Sequence, residues 1–178
     1  MNTVTLLDQD FELLIPAVEI EQAVSRIAQQ INRDFKGKDV VFIGILNGAF
    51  MFAAELLKQI DLTCQISFLK LESYSGTSST GTVTSLIGLG VDISNCTVVV
   101  LEDIVDTGLT VANIVKQLER FNPSELKIAT LLFKPEAYKE KVKLDYVGIE
   151  IPNKFIVGFG LDYNGFGRNL KEIYAIKQ

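Results

Sequence analysis

At 178 residues, 48% hydrophobic and 22% charged, the chain is long enough to bury a substantial core and is expected to form one domain over residues 1–178. A net charge of −5 with no cluster of basic residues argues against a nucleic-acid partner, and no apolar run reaches the ~20 residues of a membrane span. The chain holds no histidine, so Ser-His-Asp and Cys-His nucleophiles are excluded and any general base must be Asp, Glu, Lys or Tyr.

The N-terminus "MNTVTLLDQDFELL" has neither the positive start nor the cleavage site of a signal peptide, so a soluble, cytoplasmic protein is expected. From Pro16 to Phe35 apolar residues recur every three or four positions (Ile20, Val24, Ile27, Ile31, Phe35), which predicts an amphipathic helix ending near Gly37. "DVVFIGIL" then reads as a strand covered on both faces. After the tight "NG", "AFMFAAELLKQI" reads as helix and "LTCQISFLKL" as strand. Cys64 and Cys96 are far apart, without metal-ligand spacing, and their apolar surroundings predict core thiols.

Residues 72–85, "ESYSGTSSTGTVTS", are too polar to pack and too long for a turn; such segments are lids, binding loops or disordered stretches. "CTVVVLE" is the next buried strand, and Val111, Ile114, Val115, Leu118 and Phe121 share one face of a helix over 110–121. "ELKIATLLF", "DYVGIEI" and "FIVGFG" supply three further strand-like runs. Alternating strands and helices, with early strands apolar throughout, predict an α/β domain with a mainly parallel sheet.

The most informative stretch is "VVVLEDIVDTGLT". A carboxylate buried without partners costs several kcal/mol, roughly, yet Glu102, Asp103 and Asp106 directly follow a strand of valines. Ligands of parallel sheets bind beyond the carboxyl ends of the strands, where Glu102 and Asp103 fall. The turn around Gly108, flanked by Thr107 and Thr110 and opening a helix, is an anion cradle of backbone N–H groups suited to phosphate. The acids beside it repel phosphate, so they are expected to meet sugar hydroxyls or Mg²⁺. Neither a P-loop nor a dinucleotide fingerprint is present.

This stretch resembles the phosphoribosyl-diphosphate (PRPP) motif of type I phosphoribosyltransferases. Together with "GILNGAF", "SYSG", "LLFKPE" and "FIVGFGLDYNGFGR", in that order, it makes the chain from about residue 15 onward similar to hypoxanthine (hypoxanthine-guanine) phosphoribosyltransferases. The resemblance implies the type I fold, in which terminal segments form a small hood and a flexible lid covers about 73–85. It implies transfer of the phosphoribosyl group from PRPP to hypoxanthine, with guanine also expected, in a homodimer or homotetramer.

Residue by residue, the resemblance gives Glu102 and Asp103 to the ribose hydroxyls and Mg²⁺, and Asp106, Thr107, Gly108, Leu109 and Thr110 to the 5′-phosphate. Asp106 also matches the acid that takes the purine's proton. Lys134 matches the donor to the six-oxo group, Phe155 the aromatic stacked on the base, and Ile156 the residue whose backbone reads the purine edge. Asp162 matches an acid that reaches a second Mg²⁺ through water. Leu46, Asn47 and Gly48 match the loop that exposes backbone N–H groups to pyrophosphate and often holds a non-proline cis peptide, and Arg168 matches the arginine that clamps pyrophosphate. Ser73 and Tyr74 open the lid. Two positions depart from the family pattern: Asn47 stands where Lys or Arg is common, and Gly167 precedes Arg168 where an aromatic is usual. Other phosphoribosyltransferases, for xanthine or a pyrimidine, and a PRPP-sensing regulator of the same fold are the alternatives.

Overall fold

The computed structural model describes residues 3–71 and 86–177. In chain order the elements are β1 (Thr3–Leu6), β2 (Gln9–Ile15), α1 (Ala17–Asp34), β3 (Val40–Leu46), α2 (Phe50–Leu57), β4 (Cys64–Leu71), β5 (Leu86–Ile87), β6 (Thr97–Val105), α3 (Leu109–Leu118), β7 (Glu125–Phe133), β8 (Tyr146–Glu150), β9 (Ile156–Val157) and β10 (Ile173–Ile176). Among the described residues they form two sheets. The larger has the order β5-β4-β3-β6-β7-β8, parallel throughout except for β5, and the smaller is an antiparallel β1-β2-β10-β9 hood.

The period-two alternation of strand side chains divides the core. Phe42, Val99, Leu101, Ala129 and Leu131 face α1 and α2, where Ile20, Val24, Ile27, Ile31, Phe52 and Leu56 close the cluster. Val41, Ile43, Val98, Val100 and Ile128 pack with Val111, Ile114 and Leu118 of α3 on the opposite side. The central strands therefore read as unbroken apolar runs because both of their faces are covered.

Several boundaries differ from expectation. The helix expected over 110–121 is α-helical only to Leu118 and closes as a 3₁₀ turn, Glu119–Phe121, which leaves Phe121 exposed. In "FIVGFG" the strand stops at Val157, because Gly158 and Gly160 take left-handed backbone conformations. The core-thiol expectation is corrected for Cys64, which is exposed, whereas Cys96 is partly buried. Cys64 shares a face of β4 with Ile66 and Phe68, both also exposed.

Candidate active site

The parallel strands β3, β6 and β7 deliver their carboxyl ends to one edge of the sheet, and each is followed there by expected site residues. After β3 the Leu46–Asn47 peptide is cis, and Asn47 is exposed. Gly48 is buried and lies so close to Asp103 that a Cβ on it would collide with the carboxylate Oδ2. The strand β6 runs on through both acids to Val105. Glu102 is only 4% exposed, and its Oε1 has no hydrogen-bond partner. Asp103 Oδ1 accepts from the Ile104 N–H at 2.8 Å.

Burial governs the electrostatics of this pair. It holds the Glu102 carboxyl well above the usual range, with the neighbouring Asp103 charge adding to the effect. It also pushes Asp103 up to about 6, against the opposing pull of the Ile104 N–H and of Arg168. A cation or a set of hydroxyl donors supplies what two such carboxylates lack.

The turn after β6 follows the anion-cradle pattern. Gly108 takes φ 88°, its carbonyl accepts from the Ala112 N–H at 2.9 Å, and α3 begins at the next residue. Residues 102–108 with Thr110 and Val111 line a cavity of ≈ 270 Å³. Leu109 points its side chain into solvent, 59% exposed, so it contributes backbone only. Lys134 leaves the end of β7, its N–H bonded to the Val105 carbonyl at 3.0 Å. Its buried Nζ donates to Asp106 Oδ2 at 2.9 Å. The two residues expected to read and deprotonate the base are therefore in contact.

The C-terminal segment contributes a second group. Arg168 pairs with Asp162 at 2.5 Å and donates to the Gly160 carbonyl at 2.6 Å, while Asp162 Oδ2 accepts from the Gly165 N–H at 2.6 Å. The Arg168 charge reaches Asp103, which links this group to the acids of β6. Phe155 is 48% exposed and presents its ring beside Tyr163, centroids 5.9 Å apart at 82°. Ile156 is buried in β9, its backbone opposite Ala175 of β10. Gly167, at φ 97°, has Leu6 of the hood against it: a Cβ there would lie 2.7 Å from Leu6 Cδ1. Ser73 and Tyr74 lie outside the described residues.

Residues 16–164 match the family model described as the phosphoribosyl transferase domain. The chain belongs to the phosphoribosyltransferase family. It is 40% identical over 167 residues, 93% of each chain, to the hypoxanthine-guanine phosphoribosyltransferase of Staphylococcus aureus (strain Mu50 / ATCC 700699). A crystal structure of a hypoxanthine phosphoribosyltransferase from Staphylococcus aureus superposes with a TM-score of 0.85 at 38% identity, over 93% of this chain and 91% of that one. A hypoxanthine-guanine phosphoribosyltransferase from Bacillus anthracis, with a HEPES molecule in its active site, gives 0.84 at 36% identity, over 94% and 97%. The phosphoribosyltransferase fold thus spans both the parallel sheet and the hood.

Sequence reasoning passed over Tyr138, whose ring lies against Gly108, as well as Leu6 and Phe11 beneath the C-terminal turn. Their roles depend on contacts with residues far along the chain, and no local pattern marks them.

Proposed function

We propose that this phosphoribosyltransferase joins hypoxanthine, and also guanine, to PRPP, giving IMP or GMP and pyrophosphate as one catalytic domain over residues 1–178. The observation that carries the reading is the Lys134–Asp106 contact beside the phosphate turn. It supports giving Lys134 the part of cationic donor to a purine oxo group and Asp106 that of carboxylate acceptor for a purine proton, side by side at the edge where ribose phosphate would bind. As a ring nitrogen bonds to the anomeric carbon, the bond from that carbon to pyrophosphate breaks, and the proton lost by the purine goes to Asp106. A site built around a donor leaves an unpaired group when adenine enters.

Glu102 and Asp103 hold the ribose hydroxyls, and the backbone from Asp106 to Thr110 wraps the 5′-phosphate. Arg168 and the 46–48 backbone receive pyrophosphate, Phe155 stacks on the base, and the Ile156 backbone reads its edge. Glu102, Asp103 and, on the far side, Asp162 are the residues that would hold Mg²⁺. The ion supplies neutralisation of the diphosphate charge. The unpartnered Glu102 oxygen and the raised Asp103 carboxyl fit it, even though no three metal-ligating side chains cluster among the described residues. The exposed Ile66 and Phe68 on β4 support pairing with another copy of the chain, as a homodimer or homotetramer, and a cytoplasmic location goes with this chemistry.

The test is pyrophosphate release from PRPP and Mg²⁺ with hypoxanthine, guanine, xanthine, adenine, orotate and uracil offered singly. Turnover with the first two and none with adenine supports the reading. Preference for xanthine or a pyrimidine reassigns the base. PRPP binding without any turnover makes the chain a sensor of PRPP.

A further inference from the structure

The connection from Lys134 to Val142 touches the phosphate turn at several points that the proposed chemistry does not use. The Lys139 N–H donates to the Thr107 carbonyl at 3.1 Å. The Tyr138 ring lies against Gly108 where a side chain would otherwise begin: a Cβ on Gly108 would be 2.5 Å from Tyr138 Cε2 and 3.0 Å from the Glu140 Cβ. The ring is held from two further sides. Phe133 meets it edge-on, centroids 5.3 Å apart at 78°, and the Tyr138 hydroxyl donates to the Val142 carbonyl. Tyr138 does not line the cavity, so it reaches the cavity only through Gly108.

We propose that Tyr138 is a positioning residue for the phosphate turn: its ring, clamped between Phe133 and Gly108, keeps the Thr107–Gly108 backbone presenting its N–H groups to the 5′-phosphate of a ribose phosphate. Gly108 sits at φ 88°, a conformation open to glycine at little cost but not one that glycine is confined to. A turn made of such a residue needs an external brace to keep one geometry, and the ring and the Lys139–Thr107 bond are that brace. An anion cradle works only if its donors stay aimed, so a loosened turn loses affinity for the phosphate before it loses anything else. The inference rests on the proposed function for the identity of the phosphate, but its test reads binding as well as turnover.

Ribose 5-phosphate and pyrophosphate are titrated separately, by calorimetry with Mg²⁺, into the full-length wild type and the variants Tyr138→Phe, Tyr138→Leu and Tyr138→Ala. Ribose 5-phosphate uses the turn, whereas pyrophosphate uses the Arg168 side. The expected result is ribose 5-phosphate binding weakened about tenfold in Tyr138→Ala, with pyrophosphate within about twofold of wild type. Tyr138→Phe, which keeps the ring, should stay close to wild type. In turnover, KM for PRPP should rise while kcat and KM for hypoxanthine hold. Equal loss of both ligands, no loss of either, or a Tyr138→Phe variant as weak as Tyr138→Ala overturns the proposal. If Tyr138→Ala does not fold, Tyr138→Leu carries the same comparison. Should the wild type turn over no base while this binding pattern holds, the proposed function fails and the role of Tyr138 stands.

Discussion

Gly48 and Asp103 compete for one space: the Asp103 Oδ2 occupies the position into which any side chain on residue 48 would grow. Gly48 is outside the left-handed region, so alanine is tolerated there by the backbone and the conflict is with the carboxylate alone. Gly48→Ala should displace Asp103 from the ribose side of the site. A fall in kcat/KM for PRPP of about a hundredfold, with little change in Tm, is the expected outcome. Steady-state kinetics beside a thermal melt check it, and a variant with wild-type kcat/KM would show that Asp103 has no fixed place to lose.

The proposed function sets stability against binding at Glu102. Its buried carboxyl has an oxygen without a partner, and burial keeps both Glu102 and Asp103 protonated above their ordinary values of 4.5 and 3.8. Both acids bind protons more tightly folded than unfolded. Stability is therefore full below the ordinary carboxylate range and falls as pH climbs through about 6 for Asp103, and Glu102, also held well above its usual value, adds a loss of the same sign. The chain has no histidine to obscure that window. In magnesium-free, ligand-free protein, Tm should be higher near pH ~5 than near pH ~7.5. Glu102→Gln should flatten the slope, raise Tm at neutral pH by a few degrees, roughly, and weaken PRPP binding. A Tm that rises across the same window contradicts this account.

The acids and the phosphate turn were legible because they break a local rule: charges follow a buried valine strand, and a glycine between hydroxyls opens a helix. The parallel sheet was legible from unbroken apolar runs. What stayed hidden depends on partners distant in sequence. β2 pairs with β10 across most of the chain, and of its seven residues only Phe11 and Ile15 are buried, so it offers little alternation to read. Cys64 misled because its sequence neighbours Leu62, Ile66 and Phe68 are apolar, whereas β4 lies near a sheet edge with its Ile66 and Phe68 face open. Tyr138 lay in an unpatterned segment, and its partner Gly108 is on another loop.

Gly167 departs from the family pattern for a reason seen in the hood. Its φ is 97°, and Leu6 fills the space a side chain would need. Restoring an aromatic with Gly167→Phe should destabilise the protein by about 1–3 kcal/mol through left-handed strain and overpacking together. Leu6→Ala in the same chain should recover the packing part and leave the strain. Urea unfolding of the two single variants and the double gives the coupling. Strict additivity would mean that Leu6 and residue 167 do not meet.

Lys134 and Asp106 hold each other, and the proposed function gives both of them to the base as well. Lys134→Met keeps the long apolar stem in a position that is 7% exposed and removes the charge, so folding should survive. The variant loses the donor to the oxo group and leaves Asp106 without its cation at 2.9 Å. A charged hydrogen bond of this kind contributes about 1.5–3 kcal/mol, so kcat/KM for hypoxanthine should fall by about ten- to a hundredfold. KM for PRPP should barely move, because the proposed phosphate contacts are made by the backbone N–H groups of the turn and not by the Asp106 carboxylate that the lysine holds. Adenine should not become a substrate, since removing the donor creates no acceptor for its amino group. Lys134→Arg should not rescue turnover, because a forked guanidinium cannot occupy the place of a compact ammonium between Asp106 and the base. Kinetics with hypoxanthine, guanine and adenine separate these outcomes, and a Lys134→Met enzyme with unchanged hypoxanthine turnover would remove the lysine from base recognition.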